Sequence, residues 1–367
     1  MNFKIPQALL LKSLQAVIGV VERKQNMPML NNILLTLTDK ALSITATDLE
    51  VELVAETKVE TETAGEITVP GRKLYDICRA LPNDAHIHIN QTGEEKVNVK
   101  AGRSRFTLAT LPAQEYPVID ITDETTDFSI NQEKLINLLA NTQFAMAQQD
   151  VRYYLNGLML EVSSNNLKAV ATDGHRLAFD ETEIKAATNK TKQIIVPRKG
   201  VTELMRLLQA GQDDANIKVS KNHIQARSGN LSFTSKLIDG KFPDYQRVIP
   251  ELSETVVIAN REELKDSLSR ASILSNEKYR GVRVVFNENA LHILAHNPDK
   301  EEAEEEVSVE YSGEEMEIGF NVSYLIDALS TIKTEKVKLS VLDPNSSCLI
   351  TPEQKAYCQY VVMPMKL

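Results

Sequence analysis

The chain has 367 residues, of which 42% are hydrophobic and 25% charged, enough apolar material for two or three compact domains with their own cores. No apolar run approaches the length of a membrane-crossing helix, and the opening Met1-Asn2-Phe3-Lys4-Ile5 does not read as a secretory signal. Three scattered cysteines, Cys78, Cys348 and Cys358, fit a reducing cytoplasm better than a disulfide scaffold or a metal site, and a net charge of −10 argues by itself against a nucleic-acid binder unless cations gather on one surface.

Taken in chain order, the predicted elements repeat. A first helix carries Leu10, Leu14, Val17 and Val21, with Lys12 on its far side. The strand Ile33-Leu34-Leu35-Thr36-Leu37 follows, then Leu42-Ser43-Ile44-Thr45, closed by Ala46-Thr47-Asp48. A second helix, entered from Val69-Pro70, carries Leu74, Ile77, Cys78 and Leu81, and Phe106-Thr107-Leu108 is a closing strand. The same order recurs with Leu135, Leu138, Leu139 and Thr142; Leu158 to Val162; Leu167 to Val170 closed by Ala171-Thr172-Asp173; Val201, Leu204, Met205 and Leu208; and Phe233-Thr234-Ser235. A third pass has Leu264, Leu268 and Ala271; Val282 to Phe286; Leu291 to Leu294 closed by Ala295-His296-Asn297; Leu325, Ala328, Leu329 and Ile332; and Tyr360-Val361-Val362. Ala46, Ala171 and Ala295 are spaced 125 and 124 residues apart, and the closing strands 127 apart.

Independent markers at one spacing point to a triplicated α+β unit, two helices packed on β-sheet, with domains at 1–125, 126–253 and 254–367. Linkers are expected at Asp120 to Asp127 and Pro250 to Thr255. The competing description is one mixed α+β domain with chance similarities.

On these segments the chain resembles the bacterial DNA polymerase III beta subunit, the DNA sliding clamp family. The resemblance runs from Phe3 to Leu367 and is densest at Gln149-Asp150-Val151-Arg152-Tyr153-Tyr154-Leu155-Asn156-Gly157 and Ala171-Thr172-Asp173-Gly174-His175-Arg176-Leu177. Val196-Pro197-Arg198-Lys199-Gly200, Phe242-Pro243-Asp244-Tyr245 and the tail Tyr360 to Met365 add to it. It implies a head-to-tail homodimer closed into a ring around duplex DNA, read without sequence specificity and served by a clamp loader, DNA polymerases and other DNA-processing proteins. It implies a subunit without a catalytic site of its own; from the residues themselves no cofactor, metal site or membrane span is expected, and the role of any divalent ion stays open.

Cations opposite the helix stripes, Arg72 and Arg79 in the first copy and Lys199 and Arg206 in the second, suit a loose hold on phosphates, although the third copy has Ser323 and Ser330 there. Exposed lysines and arginines more often serve only solvation. The resemblance places DNA contacts at Lys24, Arg72, Gln149, Tyr153 and Tyr154, with Lys24 where arginine is expected. It also places a partner-peptide pocket between the second and third copies, formed by Leu155, Thr172, Gly174, His175, Arg176, Leu177, Pro243, Arg247, Val248, Asn321, Tyr324, Ser347, Val361, Val362, Met363, Pro364 and Met365. That composition suits a short segment with a Gln and paired large apolar residues. A plain edge strand is the alternative for the tail.

Ile273 falls opposite the stripe of its helix and, with Leu274, is expected against Phe106 and Leu108 of a neighbouring chain. A helix ending before Ile273 would instead leave it in the core. The acidic run Glu301 to Glu306 is expected on an outer wall, repelling stray DNA.

Two other functions compete. Asp173, His175 and Arg176 could form a carboxylate-oriented general base, but the first copy has Asp48 and Glu50 there and no nucleophile is evident. A protein-interaction scaffold that never encircles DNA is the second.

Overall fold

The computed structural model describes residues 1–367 apart from 22–26, 94, 187, 189, 209–212, 251–255, 355–357 and 367. The expected site residue Lys24 and most of the expected second linker, residues 251–255, lie outside the described residues.

Each copy carries the alternating and stripe patterns into the elements they predict. The first runs β1 (Asn2–Pro6), α1 (Gln7–Val17), β2 (Asn32–Leu37), β3 (Ala41–Thr47), β4 (Val51–Lys58), β5 (Glu60–Thr63), β6 (Gly65–Pro70), α2 (Gly71–Ala80), β7 (His86–Gln91), β8 (Lys96–Ala101) and β9 (Ser104–Ala109). The second runs β10 (Thr126–Asn131), α3 (Gln132–Ala140), β11 (Gly157–Val162), β12 (Asn166–Thr172), β13 (Arg176–Glu183), β14 (Lys185–Ala186), β15 (Lys192–Pro197), α4 (Arg198–Leu208), β16 (Asp214–Val219), β17 (His223–Ser228) and β18 (Leu231–Lys236). The third runs β19 (Val256–Asn260), α5 (Arg261–Ser272), β20 (Gly281–Asn287), β21 (Ala290–His296), β22 (Glu302–Glu310), β23 (Met316–Asn321), α6 (Val322–Thr331), β24 (Lys336–Ser340), β25 (Cys348–Pro352) and β26 (Gln359–Val362).

The helices bury the stripes the spacing predicts: Leu10, Leu14 and Val17 on α1, Leu74 and Cys78 on α2, Leu264, Leu268 and Ala271 on α5, and Leu325, Ala328 and Leu329 on α6. Four expected stripe positions fall past the helix ends, and among them Leu81 and Ile332 are the buried C-caps of α2 and α6. Val21 is buried beyond α1, and Thr142 is buried beyond α3, where its hydroxyl donates to Leu138 O at 2.8 Å. A chain leaving a helix can still bury the next apolar side chain, so periodicity overshoots the true terminus.

Two compact units arise, and they do not coincide with the copies. The first holds Met1–Ile136, Lys185–Thr188 and Lys199–Leu237; the second holds Asn137–Ile184, Asn189–Arg198 and Ile238–Leu367. In the first unit one sheet runs β5-β1-β7-β8-β9, and a second runs β14-β10-β16-β17-β18-β4-β3-β2-β6. In the second unit a single sheet runs β15-β11-β12-β13-β26-β25-β24-β19-β22-β21-β20-β23. Each unit therefore contains one joint where strands of successive copies pair. Val51 to Ser235 and Leu53 to Phe233 mark the β4–β18 joint, and Arg176 to Val362 and Leu177 to Val361 mark the β13–β26 joint, all antiparallel.

The tail is thus an interior strand. β26 pairs with β13 on one side and β25 on the other, which excludes the plain-edge alternative.

Candidate functional site

The β12–β13 turn builds one wall of the second unit's joint. The hydroxyl of Thr172 donates to Arg176 O at 2.6 Å and accepts from Gly174 N at 3.1 Å. The Asp173 carboxylate accepts the backbone N–H groups of His175 and Arg176 at 2.9 and 3.0 Å. This closure puts Gly174 at φ +89°, a left-handed conformation in which glycine pays no Cβ penalty. The other Asp173 oxygen accepts from Arg176 Nε at 3.1 Å. Asp173 is therefore committed to the turn and its arginine, and the imidazole of His175 stands exposed, with the Asp150 carboxylate, itself held by Arg152, near enough to feel its charge. That is a turn-and-clamp arrangement rather than an oriented general base.

Arg176 is the hub. Its guanidinium also donates to Asp327 Oδ2 on α6 and to Phe144 O at 2.8 Å, and its Cζ lies 4.5 Å from the Tyr324 ring centroid and 5.3 Å from that of Phe144. Stacking plus paired donors is the geometry in which arginine has no lysine substitute. Phe144 and Asp327 were not among the predicted site residues. Asp327 had a readable signal, because it falls one helical turn after Tyr324.

The tail forms the facing wall. Beyond β26, Met363 N donates to His175 O at 2.9 Å and Met365 N to Gly319 O at 2.8 Å, and Ser347 Oγ lies 2.9 Å from Met363 Sδ. Beneath, Leu155, Leu177 and Val361 join one buried cluster with Met159, Val170, Ile195, Phe242 and Tyr245, against which Val248 and Tyr154 pack. Leu155, Leu177, Val361 and Val362 are buried, and Arg176, Asn321, Tyr324, Ser347, Val248, Met363, Pro364 and Met365 are half-buried. Gly174, His175, Pro243 and Arg247 are exposed at the rim, and Thr172 is buried in the turn.

A loop carrying Gln149, Tyr153 and Tyr154 stands on the same unit. Asp150 accepts from Arg152 N, Nε and Nη2 at 2.8, 3.1 and 2.8 Å, and these hydrogen bonds hold the Asp150 carboxyl down to about 2. Arg152 Nη2 also donates to Asp173 O at 3.1 Å, tying the loop to the pocket turn. Val151 and Tyr153 are 95% and 58% exposed, an unusual cost unless a partner covers them.

The described cations predicted for DNA, Arg72, Arg79 and Lys199, lie in the first unit and are partly engaged. Arg72 donates to Val21 O from Nε and Nη2, Lys199 pairs with Asp48, and Arg79 pairs with Asp76 at 3.3 Å while remaining well exposed. Arg206 pairs with Glu203 and donates to Ala16 O.

Ile273 is the C-cap of α5 and is 75% exposed, so the helix ends before it without drawing it into the core. Leu274 is half-buried, Leu108 buried and Phe106 half-buried. Among the described residues β9 is a sheet edge paired only with β8. On β22, Glu302 to Ser308 pair with β21, while on the other side only Val309 and Glu310 pair, with β19.

Three family models cover the chain: the N-terminal domain of the DNA polymerase III beta subunit matches residues 1–120, the central domain 129–244 and the C-terminal domain 246–366. A beta sliding clamp of Pseudomonas aeruginosa is 52% identical over 368 residues and that of Escherichia coli 47%, each match covering 100% of both chains. Among solved structures, the P. aeruginosa DNA polymerase sliding clamp with ligand superposes with a TM-score of 0.97 at 52% identity over 100% of both chains. The Caulobacter crescentus beta sliding clamp gives 0.96 at 36%, covering 100% of this chain and 99% of the other. A three-domain α+β fold of this kind is that of a sliding-clamp subunit. The chain belongs to the DNA polymerase III beta subunit family, the bacterial sliding clamps.

Proposed function

We propose that two copies of the chain close head to tail into a ring that encircles duplex DNA, slides along it, and tethers replicative polymerases and other DNA-processing proteins through the pocket of the second unit. The single observation that carries this is the pair of unmatched joint strands. β4 meets β18 and β13 meets β26; by the same repeat β22 should meet the counterpart of those closing strands, and among the described residues the one left over is β9. Within one chain both present open edges, which proteins normally cover. β9 and the turn before it carry exposed Arg103 and Arg105, whereas the open stretch of β22 carries Glu302, Glu304 and Glu306. A second copy satisfies both edges, covers Ile273 beside Leu274 against Phe106 and Leu108, and leaves no edge for further growth once the ring closes. The acidic run then serves the joint in addition to turning DNA away.

On this reading the domains divide at 125/126 and 253/254. DNA meets Lys24, Arg72, Arg79, Gln149, Tyr153, Tyr154 and Lys199 as phosphate-level, salt-screened contacts that permit sliding. The net charge of −10 is then no obstacle, because few cations are needed for a topological hold. The chain works without catalysis or cofactor, in the bacterial cytoplasm, with a clamp loader to open it. The scaffold alternative gains no support from a fold whose relatives are named clamps.

The dimer is tested by sedimentation of Ile273→Asp and Phe106→Asp chains at micromolar concentration. Each is expected to sediment as a folded monomer while the parent remains a dimer. A parent that is monomeric at that concentration, or dimers that survive both changes, would remove the ring.

A further inference from the structure

The first unit repeats the pocket turn atom for atom at its own joint. The hydroxyl of Thr47 donates to Val51 O at 2.9 Å and accepts from Leu49 N at 3.1 Å, and the Asp48 carboxylate accepts from Glu50 N and Val51 N at 2.9 and 2.7 Å. Lys236 N donates to Glu50 O at 2.8 Å, as Met363 N does to His175 O. Lys236 therefore stands where Met363 stands, and Leu49 where Gly174 stands.

A cavity of about 230 Å³ opens at this place, lined by Thr47, Leu49, Pro117, Val118, His223 and Lys236 among others. Its walls are fixed. Tyr116, next to Pro117, is buried and donates its hydroxyl to Asn32 O and Thr45 O at 3.2 and 3.3 Å. Ile119 N donates to Glu52 Oε2 at 3.0 Å, anchoring the outer wall to the joint strand.

Three features mark the cavity as more than a crease. Leu49 holds φ +78°, a conformation that costs a branched side chain of this kind about 1–2 kcal/mol, and glycine occupies the counterpart. Leu49 and Val118 are 36% and 54% exposed, two large apolar side chains at one mouth. Lys236, on β18 opposite His223, is exposed and makes no salt bridge among the described residues. Burial and Lys236 push the His223 ring down, so at neutral pH it offers a polar ring rather than a second cation. Asp120 also lines the cavity, and among the described residues Lys236 is the one lysine or arginine in the lining.

We propose that this cavity is a second peptide site, one per chain, which takes a short extended segment bearing a carboxylate next to paired aliphatic side chains. The carboxylate meets Lys236 and the aliphatic pair covers Leu49 and Val118. The charge differs from the second unit's pocket, whose facing wall is Met363, so the two sites select different segments. The proposal borrows from the second unit's pocket only the analogy of the shared turn.

The test is methyl NMR of the full-length protein labelled at leucine and valine methyls, titrated with the capped peptides acetyl-Asp-Leu-Leu-amide and acetyl-Lys-Leu-Leu-amide. The acidic peptide is expected to shift Leu49 and Val118 methyls saturably in the high-micromolar to millimolar range. Lys236→Glu should weaken it at least about tenfold and Val118→Asp should abolish it. Both side chains are exposed, so both variants should keep the parent's other methyl positions. Equal response to the two peptides would overturn carboxylate selection. Shifts confined to Leu155, Leu177 and Val361 would overturn the second site and leave the second unit's pocket intact. Silence at both places would overturn the second site, and a Gln-containing peptide would then report separately on the second unit's pocket.

Discussion

The two joints share a backbone and differ in almost every side chain that faces outward. At β13–β26 the turn offers Gly174, His175 and Arg176; at β4–β18 it offers Leu49, Glu50 and Val51. The hydrogen bonds that close the two turns match within a few tenths of an ångström. Thr-Asp turn chemistry and strand register therefore make the scaffold, and the outward residues make the site. In the second unit the arginine spends its guanidinium on Asp173, Asp327 and Phe144 O and stacks on Tyr324, holding a polar wall over an apolar floor. In the first unit a buried valine replaces that hub, and the adjacent joint residue is Glu52, only 7% exposed.

The largest expected difference comes from removing the hub. Arg176→Ala leaves Asp327 and the Phe144 carbonyl without their donor and should lower unfolding stability by about 3 kcal/mol, read from the urea midpoint. Val51→Ala should cost about 2 kcal/mol through cavity formation alone and leave peptide binding at the second unit untouched. If Arg176→Ala cost less than Val51→Ala, the guanidinium would not be organising its joint.

Exchanging the turn residues sharpens the contrast. Gly174→Leu adds left-handed strain and a Cβ about 3.0 Å from the Arg152 guanidinium, so a loss of about 2 kcal/mol is expected. Leu49→Gly relieves strain while giving up partly buried surface, so its urea midpoint should move by less than about 1 kcal/mol. A large loss at Leu49→Gly would show that its packing outweighs its strain.

Met363→Ala trims the wall without opening the core. It should weaken a Gln-containing partner peptide about tenfold, roughly 1.4 kcal/mol by fluorescence anisotropy, with dimerisation unchanged. Full affinity in that variant would remove the tail from the site.

The smallest effect is a pH dependence in the first unit. Burial pushes the Glu52 carboxyl up, opposed by the hydrogen bond from Ile119 N and helped by Asp120. A raised carboxyl binds its proton more tightly in the folded state. Its contribution is therefore fully present below the unfolded value and is lost as pH rises through the folded one. Glu52→Gln keeps an acceptor for Ile119 and should stabilise the chain at neutral pH but not in acid. A pH-independent gain would assign it to packing instead.

Much of this was legible in the sequence. The helix stripes, the threefold spacing and the Thr-Asp turns are local patterns, and they place Thr172, Arg176 and Tyr324 on elements that do meet. What the stripes could not supply was pairing across copies. Nothing in the run Tyr360 to Val362 says that it lies between β13 and β25 rather than at an edge, because that depends on contacts more than 180 residues apart in the case of Leu177 and Val361. The roles of Phe144 and Asp327 were hidden for the same reason, as they arise from the direction of one guanidinium. The engagement of Lys199 by Asp48 was equally invisible, since helix periodicity shows which face a cation occupies and not what it meets.

The most direct measurement loads the protein onto nicked circular plasmid with a bacterial clamp loader and ATP, isolates the complex by gel filtration, and then linearises the DNA. Retention on the circle followed by release after cutting is the predicted result and makes the hold topological. Equal retention on circular and linear DNA would contradict it and leave a surface binder in place of a ring.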